Sequence, residues 1–153
     1  NNEGVRLRMI GRRDRFSAKI QKAIAEAEAL ASEGDTTLVI AADYGGQWDM
    51  ANAAKAVAGK VLAGDLALED IDEATIATEV SLSDLPAPDL LIRTGGEHRI
   101  SNFILWQAAY SELYFTDLYW PDFGEEALDQ AVEDFHQRQR RFGKTSEQVE
   151  QER

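Results

Sequence analysis

The sequence predicts an α/β fold with a mainly parallel sheet flanked by helices. Apolar runs of strand length alternate with stretches of helical period, which is the pattern of βαβ units. Two of the strand runs end in Gly-Gly, where a chain leaving a sheet turns sharply. With 153 residues and 44% hydrophobic content, the chain suits one ordinary domain with a core.

The elements follow in order. "VRLRMIG" alternates apolar and basic residues, the period-two pattern of a half-exposed strand over 5–11. Ile20, Ala23, Ile24, Ala27 and Leu30 recur at helical spacing, so 17–32 is expected as a helix stopped by Gly34. "TTLVIAADYGG" reads as a buried strand, and the Ala-rich "QWDMANAAKAVAGKVLAG" as a helix closed by Gly64. "LEDIDEATIATEV" suits a short helix. The two prolines of "LPAPDLLIR" force an extended entry into a strand over 90–93. Ser101 is expected to open a helix to about Tyr110. The aromatic, β-prone "LYFTDLYWPDF" follows and ends at Pro121. A last helix over 125–142 begins with acids and ends in "RQRRFG", matching its dipole. The expected organisation is one α/β domain over 1–143 and a polar tail over 144–153.

Composition excludes several function classes. A net charge of −12 and few clustered cations disfavour nucleic-acid binding and broad adhesion to anionic lipid. Without cysteine there is no disulfide or thiolate chemistry. No apolar run approaches the roughly 18 residues that cross a bilayer.

Any bound anion must therefore meet a local cluster, and "DLLIRTGGEHRISNFILWQ" supplies one. Ligands of open parallel sheets gather beyond the carboxyl ends of strands. At this strand end Arg93, Arg99 and the Ser101 hydroxyl surround Gly95–Gly96, with a helix start expected behind them. Two guanidinium groups and a hydroxyl suit a phosphate or diphosphate. The plainer alternative has Ser101 capping its helix while Arg93 and Arg99 pair with acids such as Glu97. His98 suits a loop or ligand-contact role, and His136 a surface position. Glu112, about three helical turns beyond Ser101, is structural, serves a metal bridging to a more distant group, or reaches another subunit's site, and spacing alone favours the structural reading. The aromatic run from Trp106 to Trp120 is core or dimer interface.

The stretch "DLLIRTGGEHRISNFILWQAAYSELYFTDLYWPDF", with "RRFG" after it and "RLRMIG" and "AADYGGQWDM" before it, resembles the cis-prenyltransferase family. The resemblance implies a Mg²⁺-dependent enzyme that condenses isopentenyl diphosphate onto farnesyl diphosphate. Repeated cis additions would give undecaprenyl diphosphate, the lipid carrier of bacterial cell-wall synthesis. It further implies that Arg93, Arg99 and Ser101, with His98 at the corner, hold isopentenyl diphosphate, and that Glu112 serves the metal. Arg141 and Gly143 of an Arg-x-Gly motif would approach the diphosphates across a homodimer. Leu38 and Ile40 would line a prenyl tunnel, though core packing explains them as well. A cytoplasmic location, with peripheral membrane contact at product release, follows from the same resemblance.

Three positions depart from the family pattern: Gln47 for Arg, Arg12 for Asp, and Asp43 for Asn. The family's opening strand and its Met-Asp-Gly-Asn-Gly-Arg-Trp-Ala loop, with the catalytic Asp and the allylic-diphosphate arginines, do not occur in the sequence. A truncated or processed chain without turnover of its own is therefore expected. The rival expectation is a non-catalytic diphosphate-binding and dimerisation module.

Overall fold

The computed structural model describes residues 4–138, and these divide into two compact units. One runs up to Leu85 and includes Asn102–Trp106; the other comprises Pro86–Ser101 and the chain from Gln107.

In the first unit β1 (Val5–Ile10) pairs in parallel with β2 (Thr36–Ala41), with Leu7 opposite Leu38 and Met9 opposite Ile40. The helix between them, α1 (Ala18–Leu30), starts where the Ser17 hydroxyl accepts the Ile20 N–H. Its C-terminal end protects the outer edge of β1, which would otherwise offer unpaired amides. Leu7 N–H donates to the Ala31 carbonyl at 2.9 Å. Met9 N–H donates to Glu28 Oε1 at 2.7 Å, and Arg13 Nη1 holds the other Glu28 oxygen at 2.8 Å. These bonds draw the Glu28 carboxyl below its usual range, with the Arg13 bond the largest cause and burial opposing it.

After β2 comes α2 (Gly46–Ala63), closed by Gly64 in the left-handed conformation, as the sequence predicts. The short α3 (Glu73–Ala77) carries a capping box between Asp72 and Thr75. The buried apolar side chains of this unit are Ile24, Ala53, Val57 and Val80. Among them sits Asp49 of α2, which accepts Tyr44 Oη at 2.7 Å, Ser81 N–H at 2.9 Å and Ser81 Oγ at 2.7 Å. A buried carboxylate needs such donors, and these pin the β2–α2 turn to the segment after α3.

In the second unit β3 (Leu90–Arg93) pairs in parallel with β4 (Glu112–Phe115), setting Arg93 opposite Phe115. The last helix, α4 (Glu125–Gln137), has two acids in its first turn. Leu91, Ala108 and Ala131 are buried. The parallel pairing and flanking helices match the predicted class.

One predicted element is replaced. The expected helix from Ser101 to Tyr110 is a succession of turns and bends. Ser101, Asn102 and Ile104 take positive φ of 53°, 63° and 32°, values that a right-handed helix excludes. The apolar spacing of "NFILW" suits a helix, but tertiary hydrogen bonds claim the backbone here. Gly34 also differs from its expected role: α1 ends at Leu30, and Gly34 at φ +148° instead lets the chain pass the Gly4 carbonyl, where a Cβ would lie at 2.1 Å.

Candidate diphosphate site

The Gly95–Gly96 corner is built by backbone demand. Both glycines take positive φ, +89° and +72°, so a side chain there is strained. Their N–H groups donate to the carbonyls of Leu118 at 2.8 Å and Thr116 at 2.9 Å. The turn is thus sewn to the chain leaving β4, and its amides are taken up by backbone carbonyls rather than facing an anion. No helix start stands behind it either, because the segment from Ser101 is not helical. Both differences leave side chains, rather than backbone amides, as the groups at this corner that could meet an anion.

Those side chains do converge. Arg93, at the end of β3, places Nη1 2.6 Å from Ser101 Oγ and 2.6 Å from the Arg99 carbonyl. Its Nη2 pairs with Glu97, and Arg99 pairs with the other Glu97 oxygen. Glu97 therefore bridges two guanidinium groups as an oxyanion would. The expected pairing of these arginines with Glu97 is present, while Ser101 caps no helix and faces Arg93. Arg99 is the more open of the two, with 64% of its side chain exposed against 22% for Arg93. His98 is exposed, and its ring lies 5.0 Å from that of Phe115, which suits contact with a ligand at the corner.

Glu112 is the first residue of β4 and sits in an ion pair. Arg138 Nη1 lies 3.1 Å from Glu112 Oε2, also donates to the Leu113 carbonyl at 2.9 Å, and holds Asp134 through Nη2. The Glu112 bond does most to strengthen the hold of Arg138 on its proton; burial opposes it, and Asp134 adds to it. Glu112 thus has a cation for a partner, and no group of three His, Asp or Glu side chains among the described residues could hold a metal. The described residues do not make a magnesium shell. Arg141 and Gly143 lie outside the described residues, and His136 is exposed as expected.

The other Gly-Gly turn works differently. A Cβ on Gly46 would lie 2.6 Å from Leu105 Cγ and 2.9 Å from Leu105 N, and one on Gly45 would lie 2.8 Å from Asn102 Nδ2. These glycines make room for segment 102–106. Gly46 N–H donates to the Asn102 carbonyl at 2.7 Å, and Gln47 N–H to Asn102 Oδ1 at 2.8 Å. The ring of Phe103 meets Tyr44 edge-on at 6.0 Å. The start of α2 is therefore capped from within the protein.

The departures from the family pattern lie around this turn. Asp43, at φ +49°, pairs with Arg15, and its carbonyl accepts Arg12 N–H at 3.2 Å. Asp and Asn both tolerate that conformation, which explains why one can stand for the other. The Arg12 guanidinium lies 5.9 Å from the centre of the Trp48 ring. Gln47 contributes its backbone N–H to the cap. Leu38 and Ile40 are 52% and 43% exposed on β2, so core packing is not their role in this structure. Sequence reasoning missed Asn102 and Asp49. Tolerance of Asn for positive φ was the available signal for the first, and an acid in the first turn of α2 for the second.

Comparison with known proteins bears on the family and the fold. Residues 1–143 match the prenyltransferase family model described as "Putative undecaprenyl diphosphate synthase". The chain is 58% identical over 151 residues to the Pseudomonas putida ditrans,polycis-undecaprenyl-diphosphate synthase ((2E,6E)-farnesyl-diphosphate specific), covering 98% of this chain and 60% of that protein. The chain thus spans about 60% of the length of such relatives. Lavandulyl diphosphate synthase from Lavandula x intermedia, solved with dimethylallyl diphosphate, superposes with a TM-score of 0.87 at 40% identity, over 92% of this chain and 61% of that one. A probable undecaprenyl diphosphate synthase from Campylobacter jejuni gives 0.79 at 31% identity, over 92% and 64%.

Proposed function

The chain belongs to the cis-prenyltransferase family, and on that premise we propose that its parent protein elongates a cis-prenyl chain, adding isopentenyl diphosphate to farnesyl diphosphate to make undecaprenyl diphosphate. Arg93, Arg99 and Ser101 form the clamp for the isopentenyl diphosphate. The observation that carries this reading is the convergence of two guanidinium groups and a hydroxyl on one corner of a chain of net charge −12, already bridged by an internal carboxylate. Charge-assisted forks of this kind are strong and directional, which suits a diphosphate.

Each condensation forms one carbon–carbon bond, breaks the allylic carbon–oxygen bond, and releases diphosphate and a proton. Holding the isopentenyl diphosphate still converts an encounter into a positioned attack by its double bond. Arg93 sets the hydroxyl of Ser101; Arg99, on the exposed side, swings between Glu97 and the incoming oxygens. His98 on Phe115 closes the side of the corner. The reaction class calls for magnesium at the diphosphates, with Glu112 as the carboxylate the family resemblance assigns. The described residues make no shell for it, so no step here runs through the metal.

The corner holds cations for one diphosphate. This chain is accordingly proposed to bind isopentenyl diphosphate without turning it over alone. The span 1–143 is proposed as one catalytic domain that works as a homodimer, with Arg141 and Gly143 reaching the diphosphates. The exposure of Tyr110, Tyr119 and Trp120, between 69% and 75%, supports a partner surface in this unit. A cytoplasmic enzyme touching the membrane at product release completes the reading.

Titration calorimetry with isopentenyl diphosphate tests the clamp. Binding by the wild-type chain and its loss in Arg99→Ala are expected; equal binding by both would remove the clamp from the proposal.

A further inference from the structure

We propose that Glu97 is the release group of the diphosphate corner: its carboxylate takes Arg93 and Arg99 back as each diphosphate leaves. This rests on the proposed clamp at Arg93, Arg99 and Ser101.

The chemistry of the proposed reaction creates the need. In each addition the allylic diphosphate departs, and the product keeps the diphosphate that isopentenyl diphosphate brought. That group is the allylic diphosphate of the next addition. It must leave the clamp before another isopentenyl diphosphate enters. Two guanidinium groups and a hydroxyl hold such a group well and let it go slowly, because charge-assisted bonds are strong. An internal anion that trades places with it removes that difficulty.

Three observations give Glu97 this part. First, its two carboxylate oxygens are divided, Oε2 to Arg93 and Oε1 to Arg99. A bridge of that form exchanges one guanidinium at a time. Arg99 goes first, because 64% of its side chain is exposed against 22% for Arg93. Second, Arg93 does not need Glu97 to keep its aim. Its Nη1 donates to Ser101 Oγ and to the Arg99 carbonyl, both at 2.6 Å and both neutral acceptors. Third, the backbone before Glu97 is anchored independently of the arginines. Gly95 and Gly96 donate their N–H groups to the Leu118 and Thr116 carbonyls at 2.8 and 2.9 Å. The Glu97 side chain, 41% exposed, can therefore swing out and return to the same place. Ion pairs this open are weak enough to break at every addition.

The test is inorganic pyrophosphate binding to the full 153-residue chain, with affinity from calorimetry and the dissociation rate from phosphorus-31 line shapes. Thermal melting checks that each variant is folded. Glu97→Gln keeps the size of the side chain and removes its charge. Its dissociation rate is expected to fall about threefold, matching the gain in affinity, with association nearly unchanged. Glu97→Asp keeps the charge and is expected to release pyrophosphate faster than Glu97→Gln. If Glu97→Gln does not fold, Glu97→Ala carries the same expectation. Unchanged dissociation or weaker binding in the folded variant would overturn the release role and leave the clamp standing. Pyrophosphate bound by neither protein would overturn the clamp, and the release role with it.

Discussion

The two Gly-Gly turns, Gly45–Gly46 and Gly95–Gly96, look alike in sequence and answer to different physics. Each follows a parallel strand. At Gly45–Gly46 the backbone angles are ordinary, Gly45 having φ −151°, and the missing side chains make space for Asn102 and Leu105. At Gly95–Gly96 the space matters less and the positive φ is what only glycine adopts easily. The amides of Gly46, Gly95 and Gly96 all donate to backbone carbonyls. What distinguishes the second turn as a candidate site is therefore its side chains: Arg93 before it, Arg99 and Ser101 after it. A dipeptide motif predicted the bend at both places and the chemistry at neither.

That difference can be broken by substitution. Gly46→Ala should have the largest effect, because its Cβ meets both a side chain and the backbone N of Leu105. Overpacking of this kind costs about 3 kcal/mol, read as a lower urea midpoint. A shift below about 0.5 kcal/mol would show that segment 102–106 yields freely. Gly95→Ala should cost about 1–2 kcal/mol through its φ alone. Gly95→Asn should recover part of that cost, whereas Gly46→Asn should recover nothing; equal behaviour of the two Asn variants would erase the distinction.

Charge sharpens the second turn further. Glu97→Gln removes the carboxylate that bridges Arg93 and Arg99. Pyrophosphate should then bind about threefold tighter, the scale of partly exposed ion pairs. Weaker binding would mean that Glu97 organises the arginines rather than competing for them.

The smallest effect belongs to a region outside both turns. Glu28 has its folded-state pKa lowered from 4.5, chiefly by Arg13. A depressed carboxyl stabilises the fold above its unfolded pKa and loses that contribution as pH falls through the folded value. Glu28→Gln should therefore flatten the acid limb of the stability curve below about pH 4.5 by about 0.5 kcal/mol, while leaving pyrophosphate binding at neutral pH unchanged. An unaltered acid limb would remove Glu28 from the edge protection of β1.

The strands and three of the main helices were legible because their periodicity is local: "VRLRMI" alternates, and Ile20, Ile24 and Ala27 share a helix face. The region after Ser101 was not. Its apolar spacing is helical, but Gly46 and Gln47 amides need acceptors and Asn102 supplies them, a partnership across 55 residues that no window of sequence contains. The convergence of Arg93, Arg99 and Ser101 was legible as a local group of cations in an acidic chain, and Glu97 was foreseen as their partner in the plainer reading of that group. The cost of placing Glu112 beside Arg138 was not, since 26 residues separate them. Long-range pairing decided every element that local pattern misjudged.

The central claim is that the second turn, and not the first, receives the diphosphate. Amide chemical-shift mapping during titration with isopentenyl diphosphate tests it most directly. The account predicts its largest shifts between Thr94 and Ser101, with Gly45, Gly46 and Gln47 much less affected. Largest shifts at Gly45 to Gln47, or no shifts at saturating ligand, would contradict it.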